Sequence, residues 1–209
     1  MAVEIELKAR LDDYEPVKER LFAMAAYCRA HIKSDTYWLP ASLNARQPAA
    51  HIPSGVRVRR DRGVNADGSA YGSILVTYKK KEIYDGIEVN DECEFTVSDA
   101  APFEELLVHL GLSQAHHKEK RGWAWLVTEP AAAEQPPILA ELSLVEGLGW
   151  FLEIEIQADN DNRQTVEESR RRLLALLETL EIPAKQIESR PYTLMLKVTE
   201  EQRSAKERL

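Results

Sequence analysis

Charged residues recur at every second position in several short segments, and this pattern restricts the folds open to the chain. A period of two places successive side chains on opposite faces of a β-strand. In the first segment Val3, Ile5 and Leu7 alternate with charged residues, so one face is apolar and the other is charged. The charged positions of the six segments are Glu4, Glu6 and Lys8; Arg57 and Arg59; Lys79 and Lys81; Glu92 and Glu94; Lys118 and Lys120; and Glu153 and Glu155.

A single pair of this kind has an ordinary explanation, because the wet face of any antiparallel sheet alternates with its buried face. Repeated pairs of mixed sign favour a shared interior instead. A closed barrel with helices packed outside would bury the apolar faces against those helices and turn the charged faces inward. Buried charge is costly unless it is paired or neutralised by a ligand. Such an interior therefore predicts a bound polyanion together with a cation.

The spacing of apolar residues predicts about eight strands with helices between them. We expect a single α+β domain over residues 1–209, built on an antiparallel sheet or barrel. Helices are predicted at 12–29, 98–110 and 166–180, a mobile flap at 39–55, a last strand near 192–195, and a charged helical tail over about the last ten residues.

Composition excludes several classes of function. The net charge of −8 argues against general nucleic-acid binding, which needs a basic surface. No apolar run approaches the roughly 18–20 residues of a membrane span, and the strand pattern begins directly after Met1, so no targeting segment is expected. Cys28 and Cys93 lack metal-ligand spacing and fit a reducing compartment. We therefore expect a cytoplasmic protein without nucleic-acid or membrane partners.

The mixture of carboxylates and cations indicates the chemistry of the expected ligand. Carboxylate oxygens are the ligands that Mg²⁺ or Mn²⁺ prefers, and Mg²⁺ is usually held by one or two carboxylates together with substrate phosphates. Lys and Arg side chains bind the remaining phosphate oxygens. A tunnel lined in this way would suit a polyphosphate bound with a divalent metal.

The motifs follow one another in a recognisable order. Glu4-x-Glu6-x-Lys8 opens the chain, and the block VEGLGWFLEIE at 145–155 lies near its end. The motifs between them are Asp35-x-Tyr37, Arg57-x-Arg59, Thr77-Tyr78-Lys79, Glu92-x-Glu94 and Lys118-x-Lys120. This order resembles that of the CYTH superfamily, the triphosphate tunnel metalloenzymes, over nearly the whole chain. The resemblance implies an eight-stranded antiparallel barrel, open as a tunnel, that acts on triphosphates with divalent metals.

The resemblance also implies roles for individual residues. Metal ions would be coordinated by Glu4, Glu6, Glu153 and Glu155, with Glu92 and Glu94 next. The triphosphate would be held by Lys8, Arg57, Arg59, Lys79, Lys81, Lys118, Lys120 and Arg121. Catalytic roles fall to Glu4, Glu6, Lys8 and Asp35. The implied cofactor is Mg²⁺ or Mn²⁺.

Two reactions compete within the family. A class IV adenylyl cyclase converts ATP to cyclic AMP and pyrophosphate, whereas a triphosphatase hydrolyses inorganic triphosphate, thiamine triphosphate or a nucleoside triphosphate. The segment from Glu4 to Arg10 and the region around Asp35 resemble the cyclase branch, so adenylyl cyclase is the first expectation. A non-catalytic module that binds polyphosphate or nucleotide is a third interpretation.

The chain departs from the family's pattern in two places. Ser143 stands where many relatives carry an aspartate, and Glu141, two residues earlier on the same face, is the candidate to compensate. Asn90 and Asp91 stand before the Glu-x-Glu pair, where many relatives carry an arginine. The leucine stripe of the helix at 166–180 fits a core helix and leaves a homodimer open.

Overall fold

The structure is a computed structural model that describes residues 3–41, 55–84, 87–129, 135–160 and 162–206, with only the backbone described for 79–84, 87–92 and 203–206. Its strands are β1 Val3–Leu11, β2 Ala26–Pro40, β3 Val56–Asn65, β4 Ala70–Tyr84, β5 Ile87–Thr96, β6 Leu112–Val127, β7 Ile138–Val145 and β8 Gly149–Ala158. Its helices are α1 Glu15–Met24, α2 Ala100–His109, α3 Arg163–Thr179 and α4 Tyr192–Lys206, with a short 3₁₀ helix at Ala184–Gln186. Most of the flap predicted at 39–55, namely 42–54, lies outside the described residues.

The strands form a closed antiparallel barrel in the order β1-β5-β4-β3-β2-β6-β7-β8, with β8 paired to β1. This confirms the predicted eight-stranded barrel and the α+β class. The β1–β8 ladder sets Leu7 opposite Ile154 and Lys8 opposite Glu153. Directly opposed residues share a face of the sheet, so apolar positions meet on the outside and charged positions meet inside.

The outer wall of β1 and β8 is buried beneath α1 and α3. Ile5, Leu7 and Ile154 are at most 1% exposed and pack in one cluster with Leu21 of α1 and Leu173 of α3. Burying each such side chain stabilises the fold by about 1.5–3 kcal/mol. The apolar faces of β1 and β8 are therefore used by the outer helices, which leaves their charged residues on the inner face. Among the described residues, no helix is both long and apolar enough to cross a membrane.

Helix α1 is shorter than the sequence predicted. It ends at Met24 rather than near Arg29, because the chain from Ala26 onward pairs with β6. Ala26 lies opposite Leu126, and Arg29 lies opposite Ala124. Pairing within a closed sheet satisfies the backbone groups of these residues, so it outweighs their local helical pattern.

The strand predicted near 192–195 is wrong, because these residues form the first turn of α4. Leu194 and Met195 both donate backbone hydrogen bonds to the carbonyl of Pro191, at 3.1 Å. Tyr192 and Met195 are buried together, and a spacing of three residues places them on one helical face. Short apolar runs do not distinguish a strand from a buried helix by period alone.

Replacing Gly122 with Ala is expected to destabilise the barrel by about 1–3 kcal/mol. Gly122 lies on the inner face of β6, and an added Cβ would sit 1.9 Å from the carbonyl oxygen of Leu142 in β7. Gly72→Ala in β4 is the matched control, since none of the described atoms lies within 4 Å of its added Cβ. Urea unfolding followed by circular dichroism measures both variants, and equal midpoints would contradict this expectation.

Candidate functional site

Several charged side chains that were predicted from the sequence as site residues lie on the inner face of the barrel. Glu4, Lys8, Asp35, Lys118 and Lys120 are each less than a tenth exposed. They come from β1, β2 and β6, and the outer face of β1 is packed in the hydrophobic core. Buried charges persist only where partners compensate for lost hydration, so the partners of each group show what it can do.

Three carboxylates converge on the wall formed by β1 and β8. One oxygen each from Glu4, Glu6 and Glu155 lies within 4.8 Å of the others, and Glu6 stands directly opposite Glu155 in the ladder. An all-oxygen donor set of this charge suits Mg²⁺ or Mn²⁺, so these residues fit a divalent metal. Glu153 was predicted to join them, but its carboxylate is bonded to Lys120.

Asp35 is completely buried and holds two cations. Arg59 donates to both carboxylate oxygens, from Nε at 2.7 Å and from Nη2 at 2.9 Å, and Lys118 Nζ lies 3.1 Å away. Burial would raise the pKa of Asp35, but Arg59 and Lys118 hold that pKa well below its usual range. Asp35 therefore stays ionised and fixes the position of two cations that the sequence assigned to substrate.

Arg57 is aligned through a threonine. Its Nη2 donates to Thr77 Oγ1 at 2.9 Å, and the Thr77 hydroxyl donates to Glu94 Oε2 at 2.9 Å. The same Arg57 nitrogen lies 3.7 Å from Glu94 Oε2. Glu94 was predicted as a secondary metal ligand. Among the described residues, its carboxylate contacts Arg57 and the hydroxyl of Thr77.

A second ionic group is centred on Glu141, and its cations Lys33 and Arg29 were not among the site residues predicted from the sequence. Its carboxylate bonds to Lys33, to Lys120 at 3.2 Å and to Arg29 at 3.4 Å. Burial would raise the pKa of Glu141, but Lys33 and Lys120 hold it well below its usual range. Glu141 therefore neutralises lysines of the lumen and does not join the carboxylates at the β1–β8 wall.

His31 pairs with Ser143, which stands where the family's pattern has an aspartate. Its Nε2 lies 3.0 Å from Ser143 Oγ, and the side chain is 2% exposed. Burial lowers the pKa of His31 to about 3, although Glu141 acts in the opposite direction. The imidazole is therefore neutral at ordinary pH. The sequence does carry a signal for this part of the inner wall, because polar residues recur at every second position of β2: Arg29, His31, Lys33 and Asp35.

Lowering the pH from about 7.5 to about 5 is expected to cost about 2 kcal/mol of unfolding free energy through His31. The unfolded chain takes up a proton near the ordinary histidine pKa of about 6.5, whereas the folded pKa is about 3. This contribution is complete above the unfolded pKa and declines as the pH falls toward the folded pKa. Urea unfolding at several pH values should show a flatter dependence for His31→Gln, and an unchanged dependence would refute the assignment.

Helix α4 brings Tyr192 against the lumen. Its ring meets that of Phe151, on the inner face of β8, with centroids 5.0 Å apart and planes at 88°. Lys8 Nζ lies 4.5 Å and Lys118 Nζ 4.8 Å from the centroid of the Tyr192 ring. Burial raises the pKa of Tyr192 well above its ordinary value, so the phenol stays neutral. The contact depends on α4, where the sequence predicted a strand, so the sequence did not point to Tyr192.

Arg121 does not lie with the other cations predicted to bind substrate. It is exposed on the outer face of β6, opposite Leu144, whereas Lys118 and Lys120 face inward. Neighbouring residues of a strand point to opposite faces, so Arg121 and Lys120 cannot both enter the lumen. The prediction for Arg121 is corrected on this ground.

Three further predicted residues are placed only by the register of their strands. In the β4–β5 ladder, Lys79 lies opposite Glu92 and Lys81 lies opposite Asn90. The side chains of these four residues lie outside the described part of the chain. The roles of Lys79, Lys81 and Glu92 therefore stay predictions.

A closed barrel with an inner wall of carboxylates and cations defines a tunnel protein suited to an anionic ligand. The model of the CYTH domain matches residues 2–192, and the chain belongs to the CYTH family. No curated protein matches the chain.

Solved structures share the fold over most of the chain. The PH1819 protein from Pyrococcus horikoshii OT3 is 24% identical with a TM-score of 0.72, covering 93% of this chain and 98% of its own. A candidate adenylate cyclase from Vibrio parahaemolyticus is 16% identical with a TM-score of 0.67, covering 93% and 97%. The candidate adenylyl cyclase HpAC1 from Hippeastrum, said to reveal a dominant triphosphatase activity, is 14% identical with a TM-score of 0.63, covering 95% and 96%. At these identities the likeness establishes the fold alone.

Proposed function

We propose that this protein is a divalent-metal-dependent triphosphatase that hydrolyses a triphosphate inside its barrel. The observation that carries the proposal is the convergence of Glu4, Glu6 and Glu155 within 4.8 Å of one another, on the same inner face as Lys8. A metal and several cations are what a triphosphate needs for charge neutralisation. Membership of the CYTH family supports a triphosphate as the ligand.

Glu4, Glu6 and Glu155 would hold Mg²⁺ or Mn²⁺. When bound, the ion neutralises phosphate oxygens and makes a water more acidic. The carboxylates would fix it at the β1–β8 wall, where the ladder already sets Glu6 against Glu155. Oxygen donors from two adjoining strands give a rigid base for this site.

Cations on the other walls would neutralise and orient the phosphates. Those proposed are Lys8, Arg57, Arg59, Lys118 and Lys120. Asp35 fixes Arg59 and Lys118, and Thr77 fixes Arg57, before any substrate arrives. Cations that are already oriented need little reorganisation as charge moves in the transition state. Positioning and electrostatics would thus supply most of the catalysis.

Conversion of ATP to cyclic AMP is the second candidate, and the resemblance of the Glu4–Arg10 segment to the cyclase branch favours it. That reaction needs a ribose hydroxyl to lose its proton and a pocket to bind adenine. Asp35, which the sequence placed among the catalytic residues, is committed to Arg59 and Lys118. Hydrolysis needs only a well-placed water, so the described geometry supports it better.

Product analysis tests this proposal. The protein is incubated with inorganic triphosphate and, separately, with ATP, each with Mg²⁺ and with Mn²⁺, and the products are resolved by ion-exchange chromatography. Orthophosphate without cyclic AMP is the expected result, and it should disappear in the Glu6→Gln variant. Cyclic AMP and pyrophosphate from ATP would establish the second candidate instead. Tight binding without turnover of either substrate would point to a binding module.

A further inference from the structure

Two lysines from different strands converge on one aromatic ring. Lys8 of β1 and Lys118 of β6 place their Nζ atoms 4.5 and 4.8 Å from the centroid of Tyr192. An ammonium group over an aromatic face is attracted by the ring's quadrupole. Tyr192 is 6% exposed, so water screens this attraction little. The ring therefore restrains both lysines.

The ring is itself held from behind by apolar packing. Tyr192 belongs to a buried cluster with Val145, Leu148, Phe151 and Met195. The edge-to-face contact with Phe151, at 5.0 Å and 88°, is a favoured arrangement for two aromatic rings. Since the ring has a fixed place, it sets the positions of the lysines rather than following them.

The two lysines differ in their ionic surroundings. Lys118 Nζ forms an ion pair with Asp35 at 3.1 Å. Among the described residues, the contact made by Lys8 Nζ is with the face of the Tyr192 ring. Two ammonium groups on one ring repel each other, and the neighbouring carboxylates Asp35 and Glu153 are also bonded to Arg59 and Lys120. An anion that bridged them would remove this repulsion. A phosphate group has the oxygens to accept hydrogen bonds from both.

We propose that Tyr192 is a positioning residue for the substrate, whose ring holds Lys8 and Lys118 so that both ammonium groups bind one phosphate group. The inference rests on the proposed function, because it takes a triphosphate as the ligand of the lumen. Tyr192 contacts the lysines and not the reacting atoms, so its loss weakens substrate binding more than it slows the chemical step. The first residue of α4 thereby becomes part of the substrate site.

Steady-state kinetics with inorganic triphosphate test the proposal in two variants of one position. Tyr192→Leu removes the ring and is expected to raise KM roughly tenfold, the scale of two partly desolvated cation–π contacts. Its kcat is expected to stay within about threefold of the wild-type value. Tyr192→Phe keeps the ring, so its KM is expected to stay within about twofold.

Met195→Ala is the matched control, since Met195 lies in the same cluster and on the same helix. We expect it to lower the unfolding temperature without raising KM. An equal rise of KM in Met195→Ala and Tyr192→Leu would show that packing alone matters and would overturn the inference. A rise of KM in Tyr192→Phe as large as that in Tyr192→Leu would overturn it as well.

A second substitution serves if Tyr192→Leu does not fold. Pentafluorophenylalanine at position 192 keeps the shape of a phenyl ring but reverses its quadrupole, so the ring face repels an ammonium group. KM should then rise as expected for Tyr192→Leu, and an unchanged KM would overturn the inference. Absence of triphosphate turnover in the wild-type protein would overturn the proposed function and this inference together. Turnover with an unchanged KM in Tyr192→Leu would overturn the inference alone.

Discussion

Glu6→Gln and Glu155→Gln are each expected to lower the rate of triphosphate hydrolysis at least about 100-fold. Each substitution keeps the shape of the side chain but removes one charge from a group of carboxylates that lie within 4.8 Å of one another. A site with fewer charges binds a divalent cation more weakly. The Mg²⁺ concentration for half-maximal activity should therefore rise as well. Phosphate release across a Mg²⁺ titration measures both effects.

Glu104→Gln is the matched control for these variants. Glu104 of α2 bonds to Arg60 at 3.0 Å on the outside of the barrel, so the substitution also removes a paired carboxylate. Its activity and Mg²⁺ dependence should stay close to those of the wild-type protein. Full activity in Glu6→Gln would contradict the proposed metal site, and an equal loss in Glu104→Gln would show that the effect is unspecific.

Asp35→Leu is expected to lower the free energy of unfolding by about 3–5 kcal/mol. Arg59 and Lys118 both pair with Asp35, which is completely buried, and both would keep their charges without that counterion. An unpaired buried charge costs far more than the intact pair contributes. Urea unfolding at neutral pH measures the loss.

The double variant Asp35→Leu/Arg59→Leu separates the ion pair from the packing. Removing both partners leaves only Lys118 to be neutralised, so the double variant should be more stable than Asp35→Leu alone. It should nevertheless bind triphosphate poorly, because Arg59 is one of the proposed phosphate ligands. A double variant less stable than Asp35→Leu would contradict the view that Asp35 serves chiefly as the counterion of these cations.

The inward orientation of the charged strand positions could be predicted from the sequence because alternation is a local property. Val3, Ile5 and Leu7 had to share a face, and the structure buries all three beneath outer helices. The charged residues between them had to face the other way. A closed barrel was predicted because it gives several charged faces one common interior, and the observed strand order confirms the barrel.

The pairing of charges inside the lumen could not be predicted, because it depends on contacts between strands that are distant in sequence. Glu153 and Glu155 share a face of β8. Nevertheless, Glu153 forms an ion pair with Lys120, whereas the carboxylate of Glu155 lies close to that of Glu4. Glu141 likewise binds Lys33, more than a hundred residues earlier. Local spacing does not distinguish a metal ligand from the counterion of a lysine.

Arg121 and Tyr192 show two further limits of the sequence. The segment 118–121 carries three cations and Glu119, and the structure shows that Arg121 lies on the outer side of β6 while Lys118 and Lys120 lie on the inner side. Tyr192 belongs to a helix, but the short apolar run that follows it in the sequence is equally compatible with a strand. Its contact with Lys8 requires α4 to fold back against the lumen.

Anomalous diffraction from crystals grown with Mn²⁺ and a non-hydrolysable triphosphate analogue tests the central claim most directly. We predict a Mn²⁺ peak coordinated by Glu4, Glu6 and Glu155, with the analogue inside the barrel and its phosphates bound by Lys8 and Arg57. Mn²⁺ bound elsewhere with these carboxylates unligated, or the analogue bound outside the barrel, would contradict the proposed function.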